Sequence, residues 1–487
     1  MTAPLPHAST GIKGLDNVMG GGFTPNRLYL IEGMPGSGKT TLAFQFLLEG
    51  VKRGEPVLYV TLSETREEIQ AVAQSHGWSL DGISIRELVP SEGSLAPAEQ
   101  YTVFHPSEVE LSETTKKILD DVEAVKPARI VFDSMSELRL LSGNALRYRR
   151  QILALKQYFA GRRCTVLLLD DMTSADHDLQ VQSIAHGAVL LEHAIPDFGG
   201  ARRRLRITKY RGSDFRGGYH DYAIRRGGLE VYPRLVAAEH RGHSSRERMQ
   251  SGLAGLDKLL GGGLESGTST LIVGAAGTGK STIASLFCTR AAEQGEHAAL
   301  FIFDESSNTL FSRLDGLGID LKKHVESGRV SVQQVDPAEL SPGEFVHAIR
   351  RAVEVRKARI VVIDSLNGFL NSMPDEKFLI IQLHELLAYL GQQGVATVMV
   401  AAHHGLIGAQ MSAPVDASYL ADAVVLLRYF EADGEVHQAI SVVKMRGGEH
   451  ERSIRELVMR SGKISIGEPL RDYRGVLTGV PEKMAKP

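Results

Sequence analysis

The sequence predicts an α/β protein built twice: two tandem domains, each a mostly parallel sheet flanked by helices. Three observations carry that prediction. A string of the form G-x-x-x-x-G-K-[ST] occurs at residues 33–40 and again at 274–281. Each copy follows an apolar run of strand character (28–31, 270–273) and precedes a helical pattern that opens at Thr41 or Thr282. Apolar runs and amphipathic stretches then alternate through both halves, the order that a parallel sheet with helical crossovers requires.

The repeat shows from the first ordered motif. Ser9-Thr10-Gly11-Ile12-Lys13-Gly14-Leu15-Asp16 is echoed by Gln250-Ser251-Gly252-Leu253-Ala254-Gly255-Leu256-Asp257, and Gly20-Gly21-Gly22 by Gly261-Gly262-Gly263. Gly14 and Gly255 are 241 positions apart, as are Lys39 and Lys280, so no insertion separates these features. The triple glycine reads as a flexible turn rather than a ligand contact. In a strand, glycine loop and helix the backbone N–H groups curl around a polyphosphate and the helix N-terminus adds its dipole. The expected binding set is Gly33, Gly36, Ser37, Gly38, Lys39, Thr40 and Thr41, with Gly274, Gly277, Thr278, Gly279, Lys280, Ser281 and Thr282 in the second half. Lys39 and Lys280 are placed for the β and γ phosphates, and Thr40 and Ser281 for Mg2+.

A second apolar run, 57–62, ends in Ser63-Glu64-Thr65, and its counterpart, 299–303, ends in Asp304-Glu305-Ser306. An acid there can orient the attacking water, so Glu64, Asp304 and Glu305 are the catalytic candidates. A surface carboxylate capping the helix over 66–74 is the plainer alternative. Residues 90–113, rich in Pro, Ser and Glu, read as a surface loop. The runs 128–134 and 358–365 each close on Asp-Ser, which marks Asp133 and Asp364 as carboxylates that hold Mg2+. Further strands at 165–170 and 396–401 follow amphipathic stretches at 145–159 and 376–392. His403-His404 lies where a γ-phosphate sensor would sit and lacks the further ligands of a metal site.

The last paired feature is basic: Lys209-Tyr210-Arg211-Gly212 answers Lys444-Met445-Arg446-Gly447. In an extended strand, residues two apart point to one side, so Lys209 with Arg211, and Lys444 with Arg446, form a cationic pair for a phosphate. A solvated strand edge kept charged against aggregation is the alternative. Arg202-Arg203-Arg204 reads as a solvated turn. The polar stretch 234–249 reads as the linker, dividing the chain into domains at 1–240 and 241–487.

Composition narrows the partners. The 487 residues are 43% hydrophobic and 23% charged with a net charge of −3, the profile of a globular protein without a basic field for nucleic acid. Cys164 and Cys288 stand apart with no second cysteine nearby, which fits a reducing cytoplasm. No apolar run reaches membrane-spanning length, so a soluble, intracellular protein is expected.

Taken together, the doubled phosphate loop, the acids after the second strand, the Asp-Ser strand ends and the doubled K-x-R-G resemble the KaiC family. That is the double-domain branch of the RecA-like ATPases known best from the cyanobacterial circadian clock. The resemblance runs through nearly the whole chain, to residues 470–481. It implies a homo-hexamer of double rings with ATP at the subunit interfaces, the K-x-R-G strand reaching a neighbour's nucleotide, and clock or signalling partners. It also implies autokinase activity in the second domain, with Ser418 and Tyr419 as phosphoacceptors. The chain departs from the family in three ways: Ser63-Glu64 leaves one carboxylate in the first half, Tyr419 replaces a threonine, and the tail that recruits a clock partner is expected to be absent. The rival readings are a RecA-like recombination ATPase stimulated by DNA and an ATP-gated scaffold with almost no turnover.

Overall fold

The computed structural model describes the chain except for residues 1–6, 89–105, 173–178, 197–198, 241, 243–246, 372–377, 404–417, 479–480 and 485–487. It separates into two compact units, Met1–Arg234 and Leu235–Pro487.

The first unit is a sheet of nine strands among the described residues, ordered β3-β2-β4-β5-β1-β6-β7-β8-β9. These are β1 (Leu28–Gly33), β2 (Val57–Thr61), β3 (Ile83–Glu87), β4 (Arg129–Asp133), β5 (Thr165–Asp170), β6 (Gly187–Ala194), β7 (Arg202–Tyr210), β8 (His220–Arg225) and β9 (Gly228–Tyr232). The six strands from β3 to β6 pair in parallel, and β7 to β9 follow β6 as an antiparallel meander.

Burial on both faces explains the unbroken apolar runs. Tyr29 and Ile31 of β1 pack with Phe44 and Leu47 of the helix Lys39–Lys52. Their neighbours Leu28 and Leu30 face the opposite layer, with Ile152, Leu155 and Phe159 of the helix Ala145–Ala160. Each fully buried aliphatic side chain here is worth about 1.5–3 kcal/mol.

The second unit opens with the short pair β10 (Arg248–Met249) and β11 (Leu264–Glu265). Its large sheet comprises β12 (Ser269–Gly274), β13 (His297–Ile302), β14 (Val330–Gln334), β15 (Ala358–Asp364), β16 (Ala396–Ala402), β17 (Ala423–Ala432), β18 (Glu435–Met445), β19 (Arg455–Arg460) and β20 (Lys463–Pro469). The order β14-β13-β15-β16-β12-β17-β18-β19-β20 repeats that of the first unit position for position. In both sheets the glycine loop leaves a central strand, and the carboxyl ends of its neighbours converge beside it, where doubly wound sheets bind ligands.

The opening motif of each repeat is structural. The Asp16 carboxylate accepts from Ser9 Oγ at 2.6 Å and from Thr10 N at 2.8 Å, and Asp257 accepts from Ser251 N at 2.7 Å and Ser251 Oγ at 2.8 Å. A Cβ on Gly14 would lie 1.9 Å from the Val231 carbonyl oxygen on β9. The motif therefore locks the start of each unit onto its own meander.

Several readings are corrected. Residues 106–113 are helical, within Pro106–Val125, because Ile118 and Val122, one turn apart, give that helix a buried face; residues 90–105 lie outside the described residues. Arg202-Arg203-Arg204 is not a turn but the start of β7, where Arg204 pairs with Glu192 at 2.7 Å and lies over the Tyr219 ring. The triple glycines do form turns, with φ positive at all six residues, a region closed to most side chains. The stretch read as a linker joins the second unit ahead of residue 240: Leu235 and Ala237 are buried in its core, and Ala237 N donates to Glu385 at 2.9 Å.

Candidate active site

The first phosphate loop is shaped by what its glycines exclude. A Cβ at Gly33 would sit 2.5 Å from Ser37 Oγ and 2.6 Å from the Leu191 carbonyl oxygen; at Gly274 it would meet the Leu427 carbonyl oxygen at 2.5 Å. Gly38 and Gly279 begin the following helices at φ 93° and 95°, which only glycine adopts freely. Gly36 and Gly277 also have positive φ. The loops thus present bare backbone, with Thr41 and Thr282 buried in the first turn of the helices behind them.

Lys39 is buried along the first loop, its Nζ donating to the carbonyls of Gly33 at 2.7 Å and Met34 at 3.2 Å. It also forms a 2.8 Å ion pair with Asp171. Asp133, at the end of β4, accepts from Thr40 Oγ1 at 2.8 Å and Tyr59 OH at 2.7 Å. Burial raises its pKa, with those two hydrogen bonds opposing the rise. Glu64 follows β2, and one of its oxygens is buried without a hydrogen-bond partner. Burial first, then Asp133, Glu68 and Asp171, push its carboxyl up to about 7. Ser37 Oγ is likewise buried without a hydrogen-bond partner.

The second loop repeats the frame with different attachments. Lys280 Nζ donates to the Ala275 carbonyl at 2.7 Å, as does Thr278 Oγ1 at 2.8 Å. Burial lowers the Lys280 pKa against the pull of Asp364 and Asp304. Asp364 is pushed up to about 6, chiefly by burial, and is bonded to the Ser281 hydroxyl. Ser365 Oγ donates to Asp304, while Glu305 accepts from Arg313 at 2.6 Å. The Asp133–Ser134 and Asp364–Ser365 peptides are both cis.

Each K-x-R pair reaches one segment of its own unit. Lys209 donates to the carbonyls of Gln182 at 2.5 Å and Ser183 at 3.0 Å, and Arg211 to Ser183 at 3.0 Å. Lys444 donates to the carbonyls of Ser418 at 2.7 Å and Ala421 at 2.8 Å, and Arg446 to that of Tyr419 at 2.6 Å. The cations therefore grip the backbone that carries the two acceptor candidates. Tyr419 is 54% exposed and Ser418 half-buried. His403 lies just past β16, and His404 lies outside the described residues, as do residues 479–480 of the closing stretch.

Sequence reasoning missed one group of residues. Asp170 pairs with Arg139, and Glu32 accepts from Gln182 Nε2 at 2.6 Å, beside the first loop. Burial raises Glu32 to about 7. At the matching positions the second unit has Ala401, Leu370, Val273 and Ser418. A comparison of the two halves position by position exposes the difference, since Asp170-Asp171 stands against Ala401-Ala402. Arg313 was missed for the same reason: its counterpart is Val72.

The donor set fits a magnesium nucleotide. The loops offer backbone to phosphates, and Thr40 with Asp133, and Ser281 with Asp364, are hydroxyl–carboxylate pairs suited to a hard cation. The oxygens of Ser37 and Glu64 that lack partners also lie in this region. Among the described residues no cluster of three His, Cys, Asp or Glu offers an alternative metal site, and no helix is long and apolar enough to cross a membrane.

Fold and site together define a tandem RecA-like P-loop ATPase. The family model described as "ATPase: KaiC" matches residues 8–236 and again 249–471. Its relatives include the circadian clock protein KaiC3 of a Synechocystis strain, 28% identical over 99% of this chain and 95% of its own. The circadian clock oscillator protein KaiC of Parathermosynechococcus lividus is 28% identical over 99% of this chain and 89% of its own. That of Synechococcus elongatus is 27% identical over 98% and 92%. The chain belongs to the KaiC family and shares its ATP-binding character.

Proposed function

We propose that the chain is a Mg2+-dependent ATPase in both units and a serine autokinase in the second, assembled as a homo-hexamer with ATP at its subunit interfaces. The observation that carries the reading is the convergence at each loop of a buried lysine, a hydroxyl–carboxylate pair and a glutamate that follows the strand next to the carboxylate's own. In this reading Lys39 and Lys280 bind the β and γ phosphates. Thr40 with Asp133, and Ser281 with Asp364, hold Mg2+, which supplies charge neutralisation between the phosphates when bound. Glu64 takes a proton from attacking water, and a carboxyl with its pKa near 7 suits that task at neutral pH. Asp304 and Glu305 serve the second unit, where the Ser418 hydroxyl oxygen would bond to the γ phosphorus as its bond to the leaving ADP breaks and the hydroxyl proton passes to Glu305, with Tyr419 as the alternative acceptor. Lys209, Arg211, Lys444 and Arg446 stabilise phosphate charge across the interface.

The relatives' names place them in circadian timing, and a timing or signalling role in the cytoplasm is the corresponding reading for this chain. The test is phosphopeptide mapping after incubation with ATP and Mg2+, together with native mass with and without ATP. Phosphate on Ser418, lost in Ser418→Ala, and a nucleotide-dependent hexamer are expected. A stable monomer with no phosphate on Ser418 or Tyr419 would refute the autokinase and the interface roles together.

A further inference from the structure

Glu64 and Glu305 occupy matching places, yet they are held differently. One carboxylate oxygen of Glu64 is buried without a hydrogen-bond partner among the described residues, and Asp133 on β4, Glu68 on the following helix and Asp171 after β5 raise its pKa. Tyr59 on β2 adds a phenol. Glu305 instead accepts from Arg313 Nη2 at 2.6 Å, and the same guanidinium donates through Nη1 to Thr282 Oγ1 at 2.7 Å. Its acidic neighbour is Asp364 on β15. Thr282 is buried and directly follows Ser281, so Arg313 bridges the glutamate to the first turn of the loop helix.

Arg313 stands on the helix Ser307–Asp315, 241 positions after Val72 on the helix Arg66–His76. Both helices begin at a hydroxyl cap, Thr65 or Ser306, so the two positions share one register. At this register position the second unit carries a cation where the first carries an aliphatic side chain.

We infer that Arg313 is a positioning residue that restrains Glu305 and keeps hydrolysis by the second unit slow. This rests on the reading of Glu305 as the group that activates the attacking oxygen. A carboxylate oxygen in a charge-assisted hydrogen bond has that lone pair occupied and its charge balanced. To accept a proton from water it must give up part of that bond, and turnover falls. Among the described residues no arginine or lysine donates to the Glu64 carboxylate. The second unit therefore retains its nucleotide for longer, which suits delivery of phosphate to a side-chain hydroxyl.

The experiment works in both directions. In a Lys39→Ala background, where only the second loop binds nucleotide, Arg313→Gln is expected to raise kcat for hydrolysis about tenfold, a part of the roughly 10²–10⁴-fold that a positioned base supplies, with KM little changed. Arg313→Lys is expected to restore the slow rate. In a Lys280→Ala background, Val72→Arg is expected to lower kcat of the first unit. A readout without nucleotide uses a water-soluble carbodiimide and an amine, with labelled glutamates counted by mass spectrometry. Labelling of Glu305 is expected to speed up several-fold in Arg313→Gln, and that of Glu64 to slow in Val72→Arg.

An unchanged or lower kcat in folded Arg313→Gln, with unchanged labelling, overturns the inference. If Arg313→Gln does not fold, the Val72→Arg arm decides alone, and no fall in kcat there overturns it. Glu305→Gln separates the two claims: unaltered hydrolysis sinks the reading of Glu305 itself, whereas lost hydrolysis with no effect at Arg313 sinks only the restraint.

Discussion

Asp171 holds Lys39, the lysine proposed to bind phosphate, and its removal should tighten nucleotide binding to the first unit. The pair is 2.8 Å long, with Lys39 6% and Asp171 29% exposed. At that separation the gross attraction is about 6 kcal/mol for an effective dielectric of about 20. Asp171 is open to water on one side, and pairs of that kind retain only a fraction of their gross energy. A net competition of about 1–2 kcal/mol remains, equivalent to about a five- to thirtyfold change in affinity. Asp171→Asn preserves shape and removes the charge. The assay is titration of a fluorescent, non-hydrolysable ATP analogue in a Lys280→Ala background, where only the first loop reports. Affinity should rise by that factor. Unchanged or weaker binding would show that Asp171 does not compete with phosphate and would refute the reasoning.

The pH dependence of the first unit follows from Glu64. Its folded pKa, raised to about 7, lies above the ordinary carboxyl range, so in its proposed role as base it is protonated and idle below that pH. Hydrolysis measured in Lys280→Ala should therefore climb as pH rises through about 7, and the climb should vanish in Glu64→Gln. The same shift sets a stability trend: the burden of the charged form is absent below the unfolded pKa and grows as pH rises through 7. Glu64→Gln should thus raise the melting temperature of the nucleotide-free chain at pH 8 and leave it unchanged at pH 4, read by calorimetry. Gly14→Ala should lower the melting temperature of the first unit, because its Cβ would lie 1.9 Å from the Val231 carbonyl; a cost of about 1–3 kcal/mol is expected, and an unchanged melt would refute the contact. Equilibrium dialysis with ATP should find two sites per chain, and one in either Lys39→Ala or Lys280→Ala.

What the sequence shows and what it hides divide along physical lines. The central strands β1, β2, β4 and β5 were readable because burial on both faces leaves an unbroken apolar run. The edge strand β3, Ile83–Glu87, was not: its burial alternates and ends in two exposed residues, a weak pattern over so short a span. The meanders after β7 and β18 went unread beyond their K-x-R-G strands for the same reason. Within the site, Lys39, Thr40 and Asp133 follow from motifs whose geometry is local or recurs with the fold. Asp171 and Arg313 depend on which side chains tertiary packing brings together, and one sequence does not state that. Only the difference between its two halves hints at it.

That difference has a consequence for the gene as well as the protein. Repeats within one chain invite unequal recombination. The first unit buries Glu32 against Gln182 and Arg139 against Asp170, whereas the second has Val273, Ser418, Leu370 and Ala401 in their places. A crossover between residues 32 and 139 would keep Glu32 and replace Gln182 by a serine too short to reach it. The hybrid would carry a buried carboxyl group with its hydrogen-bond donor removed, a defect of about 1–3 kcal/mol. At this place the two halves of the chain are therefore not interchangeable, although they share one fold.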